Sequence, residues 1–80
     1  MRLPRNIGGE ELANLLSKYG YAISRQTGSH LRLTTSERGE HHITIPKHNP
    51  LKTGTLNGII SDVAKHLGLS KEKFMRELFQ

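Results

Sequence analysis

Of the five histidines in this chain, His30 has the most informative neighbours. It closes the step Gly28-Ser29-His30 in the stretch RQTGSHLRL, where a turn opens into an alternating strand. A histidine can exchange a proton near neutral pH, and the guanidinium of Arg32, two residues on, can hold a phosphate. RNA carries its own nucleophile, the 2′-hydroxyl. Metal-free cleavage of RNA therefore needs only proton transfer and charge stabilisation. The plain alternative is a solvated histidine beside an ordinary surface arginine.

Other chemistries fit less well. A Ser29–His30 dyad is disfavoured, because neighbours in a strand project to opposite faces. A zinc site from His30, His41, His42 and His48 is also poor. His41 and His42 face opposite sides, and four strand steps, roughly 13 Å, separate His30 from His42. Zinc needs its ligands about 2 Å from one centre. The seven acids, Glu10, Glu11, Glu37, Glu40, Asp62, Glu72 and Glu77, lie on expected helices or about the second hairpin loop. That placement argues against a paired-carboxylate nuclease or glycosidase. None of Tyr19, Tyr21, Phe74 and Phe79 is expected on the open sheet face, so base stacking on that face is disfavoured.

A second feature is KHNPLKTGTL. Thr53 is placed to cap a helix that Gly54 and Thr55 open. Exposed N–H groups at such a start, with Lys47, His48 and Lys52 nearby, make a phosphate seat. A capped helix with a solvated basic approach explains the same residues.

The elements that position these groups follow from periodicity. Leu12, Leu15, Leu16 and Tyr19 form one helical face, with Glu10 and Glu11 in the first turn and Gly20 as the stop. YAISRQ, HLRLTT and HHITIP alternate with period two and predict three strands. Pairing Leu33 with Ile43 and Leu31 with Ile45 leaves a loop of Glu37, Arg38 and Gly39. Pairing Ile23 with Leu31 and Tyr21 with Leu33 leaves Gln26, Thr27 and Gly28. Both are three-residue loops ending in glycine, the chemistry of a left-handed glycine bulge. Leu56, Ile59, Ile60, Val63 and Leu67 stripe a second helix that stops at Gly68, and Ser70 caps a short third one.

The expected fold is α+β in the order α-β-β-β-α, plus a short C-terminal helix. The helices cover one face of a three-stranded antiparallel sheet. Tyr21, Ile23, Leu31, Leu33, Ile43 and Ile45 face the helices. Ser24, His30, Arg32, Thr34, His42 and Thr44 stand on the open face.

At 80 residues, one domain over 1–80 is expected, with an irregular arm over 1–8. The absence of cysteine removes disulfides and thiolate metal sites and fits a cytoplasmic location. No apolar run approaches the roughly 18 residues of a membrane span. The N-terminus does not read as a signal peptide. A net charge of +5 points to an anionic partner, nucleic acid above all.

The residues also resemble a known family. Arg25 leads into Gly28-Ser29-His30, followed by Ile43-Thr44-Ile45-Pro46, His48, Leu51-Lys52, Gly54-Thr55-Leu56 and Gly68-Leu69-Ser70. In this order, over roughly residues 9–79, they resemble the HicA (YcfA-like) family of bacterial toxins. The resemblance implies a double-stranded-RNA-binding-like fold and an mRNA interferase without a small-molecule cofactor. It implies catalysis by His30 and a HicB-like antitoxin partner that blocks the site. RNA contacts are then expected from Arg25, Ser29, Arg32, Lys47, His48, Lys52, Thr53, Gly54 and Thr55. A non-catalytic RNA-binding domain on the same fold, and a protein that only docks a partner, are the competing readings.

Overall fold

In the computed structural model the described residues are 3–80; Met1 and Arg2, the start of the expected arm, lie outside them. The element order is α1 (Gly9–Leu16) with a 3₁₀ turn (Ser17–Tyr19), β1 (Ala22–Gln26), β2 (His30–Thr35), β3 (His41–Pro46), α2 (Thr53–Leu67) and α3 (Lys71–Leu78). The sheet is antiparallel in the order β1-β2-β3. This is the expected α+β fold.

An eight-residue helix such as α1 is too short to persist alone in water. Packing holds it: Leu12 and Leu16 are fully buried against the sheet. Gly20 ends its 3₁₀ extension at φ 88°, a left-handed position that suits glycine. The start of α1 is pressed onto the end of β3. Gly9 donates its N–H to the His48 carbonyl at 2.9 Å, and a Cβ on Gly9 would sit 2.0 Å from the Pro46 carbonyl oxygen. Ile7, in the segment before α1, is buried and bonded to Leu51. The expected irregular arm therefore contributes to the core.

The core joins Leu31, Leu33, Ile43 and Ile45 to Leu56, Ile60 and Val63 of α2 and to Phe74 and Leu78 of α3. Ser70 caps α3 as expected, accepting from the Lys73 N–H at 3.1 Å. The second hairpin has the expected register, with Leu33 opposite Ile43 and Leu31 opposite Ile45, and Gly39 at φ 99°.

The first hairpin differs from expectation. Ile23 pairs with Leu33, and Gln26 with Leu31, across a bulge between Ile23 and Arg25. Gly28 is not left-handed; the positive-φ glycines are Gly20, Gly39 and Gly68. The Thr27 hydroxyl closes this turn instead, accepting from the Ser29 and His30 N–H groups at 3.3 and 3.1 Å. A threonine side chain that bonds the following backbone makes a turn without a special glycine.

Ile23 was expected in the core but is 51% exposed. β1 is an edge strand, and above it stand Glu10, Ala13 and Asn14 of α1 and Ser17 of the 3₁₀ turn. A groove of about 450 Å³ remains there.

Candidate functional site

The open sheet face carries the side chains expected on it. His30, Arg32, His42 and Thr44 are exposed, and Thr34 is half-buried. A hydrogen-bonded row crosses all three strands. Ser24 Oγ lies 2.8 Å from Thr34 Oγ1, and Thr34 Oγ1 lies 2.7 Å from His42 Nδ1. His42 Nε2 in turn meets Glu40 at 2.7 Å.

His30 opens β2 at the other end of that face, opposite Pro46. Ser29 Oγ lies 2.8 Å from His30 Nδ1, so the contact that alternation disfavoured does form. The physical reason is local. Ser29 belongs to the turn, since β2 begins at His30, and the alternation of a strand does not govern it. Among the described residues no carboxylate pairs with His30; the ion pairs are His41–Asp62 and His42–Glu40.

Arg25 also reaches this face. In a regular ladder continuing from Ile23 opposite Leu33, Ser24 would oppose Arg32 and Arg25 would face the core. The bulge makes Arg25 the cross-strand partner of Arg32, and such partners share a face.

Lys47 is tied to the turn of the first hairpin, its N–H donating to the Ser29 carbonyl at 2.8 Å. Its half-buried side chain lines a recess with His48, Glu10 and Glu11. Lys52 is exposed and lies with Thr53 beside Arg5.

Thr53 is not the cap of α2. Lys52 takes that position in extended geometry, its carbonyl accepting the Leu56 N–H at 2.9 Å. The helix starts one residue early, and no side chain caps it. Thr53, Gly54 and Thr55 form its uncapped first turn, which keeps the positive end of the helix dipole open.

The expected set is therefore not one patch. Ser29, His30, Arg25 and Arg32 share the first hairpin. Lys47 and His48 sit at the end of β3, and Lys52 to Thr55 open α2.

Residues that the sequence did not bring together lie at the opposite end of the sheet. His41, on the helix side, meets the Tyr21 hydroxyl at Nδ1 (2.7 Å) and Asp62 at Nε2 (3.2 Å). Its ring stacks on His66 with centroids 4.3 Å apart. His66 Nε2 donates to the carbonyls of Glu37 (2.8 Å) and Gly39 (3.1 Å), which pins the second hairpin to α2. Burial and then the Asp62 charge push the Tyr21 phenol up to about 12. This cluster is a structural lock. Among the described residues no group of three histidines or acids is arranged to hold a metal ion.

A family model described as the HicA toxin of bacterial toxin–antitoxin systems matches residues 9–69, from the start of α1 to the end of the α2–α3 turn. Neither the search of curated proteins nor that of solved structures found a match. The matched span takes in the whole sheet, the first hairpin with His30 and all of α2, and on it the chain belongs to the HicA toxin family of bacterial toxin–antitoxin systems.

Proposed function

We propose that this toxin is a metal-independent endoribonuclease acting on mRNA, with His30 as its general acid–base. The observation that carries this reading is the exposed His30 ring, held at Nδ1 by Ser29 with Nε2 left for a substrate. When the ring is neutral with its proton on Nδ1, that N–H donates to Ser29 Oγ. The Nε2 lone pair is then free to take the 2′-hydroxyl proton. When the ring is cationic, Nδ1–H still donates to Ser29, and Nε2–H can protonate the departing 5′-oxygen. The ring need not turn between the two roles. As the 2′-oxygen bonds to phosphorus and the bond to the 5′-oxygen breaks, charge builds on the non-bridging oxygens, and the positive field of this basic face stabilises it.

Lys47, His48, Lys52 and the uncapped start of α2 would hold flanking phosphates. Membership of a toxin–antitoxin family implies an antitoxin. A HicB-like protein that covers the open face would block His30. The absence of cysteine is consistent with a cytoplasmic setting.

The test is RNA cleavage by the purified chain with EDTA present, together with growth after induction. His30→Ala should lower cleavage by about 10²–10⁴-fold and relieve growth arrest. Its melting temperature should stay unchanged, and His42→Ala should cost far less. Cleavage that survives His30→Ala, or that EDTA abolishes, overturns the assignment. RNA binding without any cleavage by the wild-type chain would make this a binding domain.

A further inference from the structure

The first hairpin carries a β-bulge that turns Arg25 off the core face and sets it beside a second arginine. With Ile23 opposite Leu33, an unbroken ladder would place Ser24 opposite Arg32 and Arg25 opposite Leu31. The extra residue instead sets Arg25 directly opposite Arg32 and Gln26 opposite Leu31. Ser24 fastens the bulge, its hydroxyl meeting the Arg32 carbonyl at 3.3 Å and Thr34 Oγ1 at 2.8 Å.

Like charges directly opposite each other destabilise a sheet. Here no ion pair among the described residues offsets them. The ion pairs among the described residues are His41–Asp62 and His42–Glu40, and neither involves an arginine. Both arginines are exposed. Bulges commonly sit beside functional sites, where they re-aim a side chain.

Two guanidinium groups on cross-strand partners, with Cα atoms about 5 Å apart, present two planar forks to one anion. Each fork matches a pair of phosphate oxygens. Arg32 lies two residues along β2 from His30, about 7 Å away. That spacing matches the step between successive phosphates of an extended strand, so with one phosphate at the His30 ring the arginine pair stands at the next.

We propose that the bulge at Ser24 builds a two-arginine clamp from Arg25 and Arg32. The clamp grips the phosphodiester next to the one presented to His30, so the toxin engages single-stranded RNA through at least two consecutive phosphates. This inference rests on the RNA-cleavage reading and adds a register to it. An acidic protein surface is the less favoured occupant. A partner protein that covers this face would find no apolar centre among Ser24, Thr34 and Thr44, so at the arginine pair itself RNA is the favoured occupant. The exposed large hydrophobic residue, Ile23, pairs with buried Leu33 and so faces the other side.

The experiment measures binding, so it does not depend on catalysis. Labelled 2′-O-methyl oligoribonucleotides, which lack the attacking hydroxyl, are titrated by fluorescence anisotropy at low salt. Lengths with one, two and three phosphodiesters are compared on the wild-type chain, Arg25→Gln, Arg32→Gln and the double variant, with thermal melts run in parallel. The wild-type chain should gain about tenfold in affinity when the second phosphodiester is added, the scale of charge-assisted hydrogen bonds. Each single variant should lose most of that gain and the double variant all of it. None should melt lower than wild type, and relief of repulsion should raise melting slightly at low salt. A double variant that keeps the gain overturns the clamp, and so does a variant that melts lower. If the wild-type chain shows no length-dependent gain but binds an acidic peptide through these arginines, the pair serves a protein partner and the proposal fails. Cleavage that survives His30→Ala would sink the catalytic assignment and leave these binding results standing.

Discussion

Removing the Ser29 hydroxyl tests whether it works through His30. In Ser29→Ala the contact at 2.8 Å disappears, while the backbone bonds to the Thr27 hydroxyl remain, so the turn should keep its shape. The ring is exposed, and among the described residues no other group holds Nδ1. It then divides its time among orientations and tautomers in which Nε2 is misdirected. One hydrogen bond of this kind is worth about 0.5–1.5 kcal/mol net, or roughly a two- to thirteenfold bias toward the aligned state. We therefore expect kcat on a short fluorogenic RNA to fall about three- to tenfold, with KM within about twofold of wild type. Ser29→Thr, which keeps the hydroxyl, should recover part of the loss. The decisive arm is the pair of variants with His30→Ala. If Ser29 acts only by positioning His30, the double variant should be no slower than His30→Ala alone, since coupled residues are not additive. A rise in KM with unchanged kcat, or a full additional loss in the double variant, would show that Ser29 touches RNA directly and would refute the positioning argument.

Other outcomes can be checked with simpler assays. Lys52→Ala should weaken RNA binding and flatten the log–log salt dependence by about 0.7, the loss of one phosphate contact to a single strand. Lys47→Ala should do less, because its side chain shares a recess with Glu10 and Glu11; equal effects in a salt titration would count against that distinction. Gly9→Ala drives a methyl to 2.0 Å from the Pro46 carbonyl oxygen, so urea denaturation should show a loss of about 1–3 kcal/mol, and an unchanged midpoint would contradict the close approach. For Tyr21, the folded phenol ionises near 12 against about 10 when free, so the stabilisation is fully present below pH 10 and drains away as pH rises toward 12. Stability measured across that alkaline window should decline, and less steeply in Tyr21→Phe; a flat profile would mean the phenol is not shielded.

What the sequence made legible depended on how many landmarks each element carries. The three helices were readable because Leu12 and Leu16, Leu56, Ile60 and Val63, and Phe74 and Leu78 repeat at helical spacing and are buried. The second hairpin was readable because two apolar pairs and Gly39 fix one register. β1 has Ile23 as its only large apolar residue, so nothing in the strand resists a slip. The turn chemistry was carried by Thr27 rather than Gly28, and its pattern is visible only as a threonine two residues before Ser29. A bulge has no apolar signature of its own, so the face occupied by Arg25 could not be read. The position of His30 survived because β2 is anchored on the β3 side. The contact with Ser29 was lost to a rule for strands applied one residue too early. The His41–Asp62 pairing spans 21 positions and needs the tertiary fold to appear.

The two ends of the sheet carry different burdens. At the far end Tyr21, His41, Asp62 and His66 fasten the second hairpin to α2, and the Arg38 guanidinium lies over Gly68, where α2 stops at φ 71°. At the near end β2 begins with His30, α1 begins against Pro46 and His48, and α2 begins uncapped. Because α2 meets the far end through its last turns, its positive dipole end points toward the end that holds Arg25, Lys47 and Lys52. Concentrating positive charge there costs folding energy, and a small domain has little to spare. The lock at the far end offsets that cost through contacts that touch none of the residues assigned to RNA. Substitutions at the near end of residues proposed for catalysis and binding should therefore change activity without unfolding the domain, and such independence is what the single-residue tests require.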